Sequence, residues 1–125
     1  MPASPTDCIF CKIAMSEIPV EFLVESEHAV AFLDQQPMAT EHVLVIPRQH
    51  LSSINDLSSA SSTLLTDLFA TARKVAEIRG IVESGYRVVT NAGSDAGQTI
   101  FHLHFHILGG EPLGAFGRQE SQHDG

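Results

Sequence analysis

Between residues 102 and 108 the chain reads His-Leu-His-Phe-His-Ile-Leu, an alternation of imidazole and apolar side chains with period two. An extended strand from His102 to Leu108 puts His102, His104 and His106 on one face and Leu103, Phe105 and Ile107 on the other. The apolar row supplies a face to bury; burial does not account for the histidine row. At seven histidines in 125 residues, such a triplet is expected about 0.02 times by chance. Successive histidines stand about 6.6 Å apart at Cα, close enough for two rings to share one substrate or metal.

Two chemistries fit such a row. Neutral imidazoles are common ligands of a catalytic metal. Alternatively, one imidazole attacks phosphorus while a neighbour handles protons or phosphate charge. The Gly-rich stretch just upstream, Asn91 to Thr99, favours the second. Asn91, Ser94, Gln98 and Thr99 carry side-chain donors, and Gly93 and Gly97 let backbone N–H groups approach a phosphate closely. The stretch has no Gly-Lys-Ser/Thr, so a magnesium-dependent NTPase is not expected. A metal-dependent hydrolase using the row directly and a non-catalytic nucleotide-binding module are the competing readings.

The remainder predicts one α+β domain with an antiparallel sheet. Ile9, Phe10, Ile13 and Ala14 are spaced for a short helix, and Phe22–Val24 with Ala29–Leu33 for a hairpin. Val43–Ile46 is a β-branched strand stopped by Pro47. Leu64, Leu65, Leu68, Phe69, Ala72, Val75 and Ala76 form one stripe of a long helix over about 62–80, capped by Ser61 or Ser62. Tyr86–Thr90 is a further strand. Residues 1–7 read as a polar, flexible lead-in, 8–116 as the domain and 117–125 as a flexible tail.

Charge narrows the partners. Seven Lys+Arg against 15 Asp+Glu leave a net charge of −8, which excludes broad contact with a nucleic-acid backbone but not a small nucleotide held by local donors. No apolar run approaches the ~20 residues of a membrane span, and the first residues lack the pattern of a secretory signal. A cytoplasmic location is the expectation. There, Cys8 and Cys11 read as a metal half-site or a redox pair rather than a stabilising disulfide.

Taken with its surroundings, the row resembles the signature of the histidine-triad (HIT) proteins. The likeness takes in Cys8 to Ile13, Ala31-Phe32-Leu33-Asp34, Val43 to Arg48 with His50, Gly85 to Asn91, Gly93 to Thr99 and His102 to Leu108. Within the family the chain is most similar to the short nucleoside phosphoramidase, or Hint-like, branch. The resemblance implies a five-stranded antiparallel sheet with one long and one short helix, and a homodimer acting on a small purine nucleoside monophosphate conjugate.

By the same resemblance His104 is the nucleophile towards the α-phosphorus, forming a nucleotidyl-histidine that water hydrolyses. A carbonyl should then hold its second ring nitrogen. His106 contacts phosphate and helps the leaving group; Asn91, Gln98 and Thr99 surround the phosphate. Asp34 accepts the ribose hydroxyls, and Phe10, Ile18, Phe32 and Leu33 border the base. Cys8, Cys11, His50 and His102 form a structural Cys₂His₂ zinc site, closed to water, so the chemistry itself needs no metal. His28, His42 and His123 are read as surface or loop residues. The likeness breaks at the C-terminus, where that branch often carries a tryptophan and this chain has none; Phe116 stands nearby.

Overall fold

A computed structural model describes residues 7–116. Residues 1–6 of the expected lead-in, the expected tail 117–125 and His123 lie outside the described residues. The first helix, α1 (Ile9–Ala14), begins at Cys8, whose Sγ accepts the Cys11 N–H at 3.3 Å. Strands β1 (Val24–Glu25) and β2 (Ala29–Leu33) form the hairpin, and β3 (Glu41–Pro47) pairs with β2. After a 3₁₀ turn at Ile54–Ser59, which no periodicity announces, comes α2 (Ser62–Ile78), then β4 (Tyr86–Val89) and β5 (Phe105–Gly109). The sheet is antiparallel with order β1-β2-β3-β5-β4, so β5 enters between β3 and β4.

Local chemistry fixes the ends of α2. The Ser61 hydroxyl accepts the Leu64 N–H at 3.0 Å, satisfying one orphan donor of the first turn. At the other end Gly80 adopts φ +72°, and Ile81 N–H reaches Ala76 O while Gly80 N–H reaches Glu77 O. That pair of bonds is a Schellman cap, which stops the helix at Ile78, two residues before the expected 80.

Strand alternation sorts the core into two layers. Ala29, Ala31, Val43, Val45, Phe105 and Ile107 face α2, where Leu64, Leu68, Ala72, Val75 and Ala76 close over them. Leu68 is 1% exposed, and Leu68→Ala would cost about 2–5 kcal/mol. Val30, Phe32, Leu44 and Ile46 face the other way and are covered by Phe10, Cys11, Ile13 and Ala14 of α1. The sheet is thus packed on both sides.

One expectation about the histidine strand changes. The ladder starts at Phe105, not His102, because the backbone before it bonds elsewhere: Leu103 N–H to Leu51 O, and His104 O to the Thr90 hydroxyl. The histidine face is also covered, since α1 lies over it. His102 is fully buried and His104 nearly so.

Candidate active site and metal centre

The three histidines of the row have their Nδ1 atoms engaged by different partners. His102 Nδ1 lies 3.3 Å from Cys8 Sγ and 3.5 Å from Cys11 Sγ. His104 Nδ1 lies 2.7 Å from the His102 carbonyl, and His106 Nδ1 lies 2.9 Å from His42 Nε2. The row therefore divides into separate environments and does not converge on one point.

Partners assign the tautomers. A carbonyl only accepts, so His104 carries its proton on Nδ1 and leaves a bare lone pair on Nε2. Its second-nitrogen partner is a main-chain carbonyl, that of His102. Burial lowers the His104 pKa, against a raising pull from the His102 carbonyl and Asp34, so the ring is neutral at physiological pH.

His42 overturns its reading as a surface or loop residue. It is 3% exposed on β3 because Leu44 and Ile46, two and four residues on, face the α1 layer, and strand alternation carries His42 to the same side. The Met38 N–H donates to His42 Nδ1 at 3.0 Å, so His42 holds its proton on Nε2. That proton faces His106 Nδ1 at 2.9 Å, with Asp34 Oδ2 at 3.3 Å. His106 in turn must carry its own proton on Nε2, a donor beside the bare nitrogen of His104. The two rings stand 5.0 Å apart. Burial, then His104 and His42, lower the His106 pKa to about 4.

Asp34, His42 and His106 bring three potential ligand atoms together. The hydrogen bond from Met38 argues against a metal there. A ligating Nε2 would need its proton on Nδ1, where it would oppose the Met38 N–H.

The other predicted residues are distributed unevenly around this pair. Asp34 accepts the Gln36 N–H on Oδ1 at 2.8 Å and keeps lone pairs on both oxygens for further donors. Asn91 spends one N–H on Ala96 O, and Thr99 is exposed. Gln98 is buried, and both of its N–H groups are taken, by Ser52 O and Ile100 O; its Oε1 accepts the Gly93 N–H. It has no donor left for a phosphate, and it braces the loop instead. Phe10 and Phe32 are buried in edge-to-face contact at 5.8 Å, and Ile18 packs against their cluster. Leu33 is not brought to them. It pairs with Val43 of the α2 layer and is half-exposed.

Cys8, Cys11, His50 and His102 place one ligand atom each within 4.8 Å of one another, so the cluster can hold a metal ion. For tetrahedral zinc, bond lengths near 2.3 Å to sulfur and 2.0–2.1 Å to nitrogen imply S···N edges of about 3.6 Å. The three S···N contacts here are 3.3 Å, 3.3 Å and 3.5 Å. His102 Nε2 donates to Pro47 O at 2.8 Å, the outer-shell bond expected of a ligating imidazole. His50 Nε2 is buried without a partner. Burial and the neighbouring Cys8 push the Cys11 thiol up to about 12, so without a cation that thiol stays protonated at neutral pH.

The HIT domain family model matches residues 15–113. The purine nucleoside phosphoramidase of Escherichia coli K12 is 39% identical over 108 residues, covering 86% of this chain and 91% of that one. Among solved structures, a HIT family hydrolase from Clostridium thermocellum superposes with a TM-score of 0.82 at 44% identity, covering 87% and 95% of the two chains. A histidine triad protein from Clostridium difficile gives 0.84 at 38% identity, covering 92% and 100%.

Proposed function

The chain belongs to the histidine-triad (HIT) family, and on that premise we propose that this nucleotide hydrolase cleaves purine nucleoside monophosphate conjugates, phosphoramidates first among them, through a nucleotidyl-histidine. One observation carries the reading: the 2.7 Å contact between His104 Nδ1 and the His102 carbonyl, which leaves Nε2 unprotonated and nucleophilic. The His104 lone pair attacks the α-phosphorus, a P–N bond forms, and the bond to the leaving group breaks with its electron pair. The imidazolium so formed is stabilised at Nδ1–H by the His102 carbonyl. Water then adds to phosphorus as the P–N electron pair returns to Nε2, and the proton that water loses balances the one the departing nitrogen takes up to leave as a neutral amine or ammonia.

His106 directs its Nε2–H to a phosphoryl oxygen or the departing atom and holds the developing charge there. His42 keeps that proton on the correct side of the ring. Asn91 and Thr99 donate to phosphate, while Gln98 shapes the loop that carries them. Asp34 accepts the ribose hydroxyls, and Phe32 with Ile18 lines the base; the purine preference comes from the Escherichia coli relative's activity.

Cys8, Cys11, His50 and His102 hold zinc in a closed site that contributes stability and leaves no position for a reacting water. A symmetric homodimer fits the open edge of the sheet, where β4 exposes Tyr86 and Val88. The reading is tested with adenosine 5′-phosphoramidate: wild-type protein releases AMP and ammonia, and His104→Ala does not. Equal release by both would remove His104 from the chemistry.

A further inference from the structure

The His104 imidazole is held by one hydrogen bond and two ring contacts, with His106 and Phe10. His104 Nδ1–H donates that hydrogen bond to the carbonyl of His102, itself a member of the Cys/His cluster. Phe10 stands between Cys8 and Cys11 in α1, so a cluster residue flanks it on either side. Its ring meets His102 edge-on at 6.0 Å and His104 edge-on at 5.2 Å, with interplanar angles of 77° and 87°. Two of the three restraints on His104 therefore run through the metal centre.

The geometry points to a positioning role for that centre: with its metal bound, the Cys8/Cys11/His50/His102 cluster sets the orientation and tautomer of His104 through the His102 carbonyl and the Phe10 ring. The inference rests on the readings of His104 as nucleophile and of the cluster as a metal site. Helix α1 has six residues, too few to hold itself together without tertiary anchors. Without metal, the described links from its cysteines to the histidines are thiol–imidazole contacts of 3.3–3.5 Å. Loosening them frees both the His102 backbone and the Phe10 ring. His104 then samples both tautomers, and only one presents a bare Nε2. Phe10, expected from sequence to border the base, becomes a positioning residue.

The test reads the ring nitrogens of His104 by ¹⁵N NMR on the full chain, with His104→Ala supplying the assignment. Three samples are compared: zinc-loaded protein, chelator-stripped protein, and zinc-loaded Phe10→Leu. The loaded protein is expected to show one Nδ1–H tautomer, and the other two averaged tautomers. Identical His104 signals in all three overturn the inference, as does failure of the chain to take up zinc.

Should the stripped protein unfold, Phe10→Leu, which keeps all four ligands, decides alone. Its kcat is expected to fall roughly tenfold or more with KM within about twofold, because misplacement of a reacting group costs rate. An unchanged kcat, or a rise in KM alone, returns Phe10 to the base pocket and overturns the positioning role. The NMR reading needs no substrate. A failure to form the nucleotidyl adduct would therefore strike the proposed reaction and leave the tautomer result standing.

Discussion

His42 Nε2 lies 2.9 Å from His106 Nδ1, and this contact determines which nitrogen of His106 carries the ring proton. The chain of consequence begins at the Met38 backbone and ends at the His106 Nε2–H. His42→Leu removes the donor and lets His106 place its proton on the wrong side. The expected loss is about 100-fold in kcat, the scale of a misplaced proton donor. His42→Gln keeps an N–H near the same place and should recover part of it. Steady-state kinetics beside a thermal melt checks this, and equal losses in both variants would reduce His42 to packing.

Asp34 offers lone pairs on both carboxylate oxygens after bonding Gln36 and approaching His42. Asp34→Asn keeps the shape but turns one acceptor into a donor. Nucleotide affinity is expected to fall about tenfold or more, since hydrogen bonds to a charged group contribute about 1.5–3 kcal/mol. Calorimetric titration with AMP reads this directly. Unchanged affinity would place the ribose elsewhere.

Stability should decline on acidification through a defined window. His106 has its native pKa lowered to about 4 from an ordinary 6.5, chiefly by burial. Between those values the unfolded chain binds the proton and the folded one does not, so stability present above pH 6.5 is lost as pH falls towards 4. His106 contributes up to about 1 kcal/mol per pH unit, with its partial exposure discounted. Denaturant midpoints across pH 7 to 4 measure this, and His106→Asn should flatten the slope. A slope unchanged by that substitution would contradict the burial of a neutral His106.

Elemental analysis of the purified chain should find one zinc per protomer, and Cys8→Ser with Cys11→Ser should abolish it. Removing a metal present at a thousandfold its Kd lowers stability by about 4 kcal/mol. A double variant that keeps its melting temperature would show that the cluster does not staple α1 to the sheet.

Much of this was legible in the chain. The alternation at 102–108 put Leu103, Phe105 and Ile107 on the face opposite the histidines, which in the fold is the α2 layer, and the stripe from Leu64 to Ala76 located α2 to within two residues. Both are one-dimensional periodicities that each side chain carries locally. His42 was not legible, because its partner lies 64 positions away and only the β3–β5 register brings them together. The same limit hid the commitment of Gln98 to Ser52, 46 residues distant. Leu33 lies apart from Phe10 and Phe32 for a simpler reason: it follows Phe32 in the strand and so points to the opposite layer.

The central claim is that His104 Nε2 becomes bonded to phosphorus during turnover. Rapid mixing of zinc-loaded protein with adenosine 5′-phosphoramidate, acid-free quenching and intact mass measurement tests it most directly. The account predicts a transient gain of one adenylyl group, mapped to His104 and absent from His104→Ala. Turnover by the wild-type protein with no adduct at any time point would contradict it.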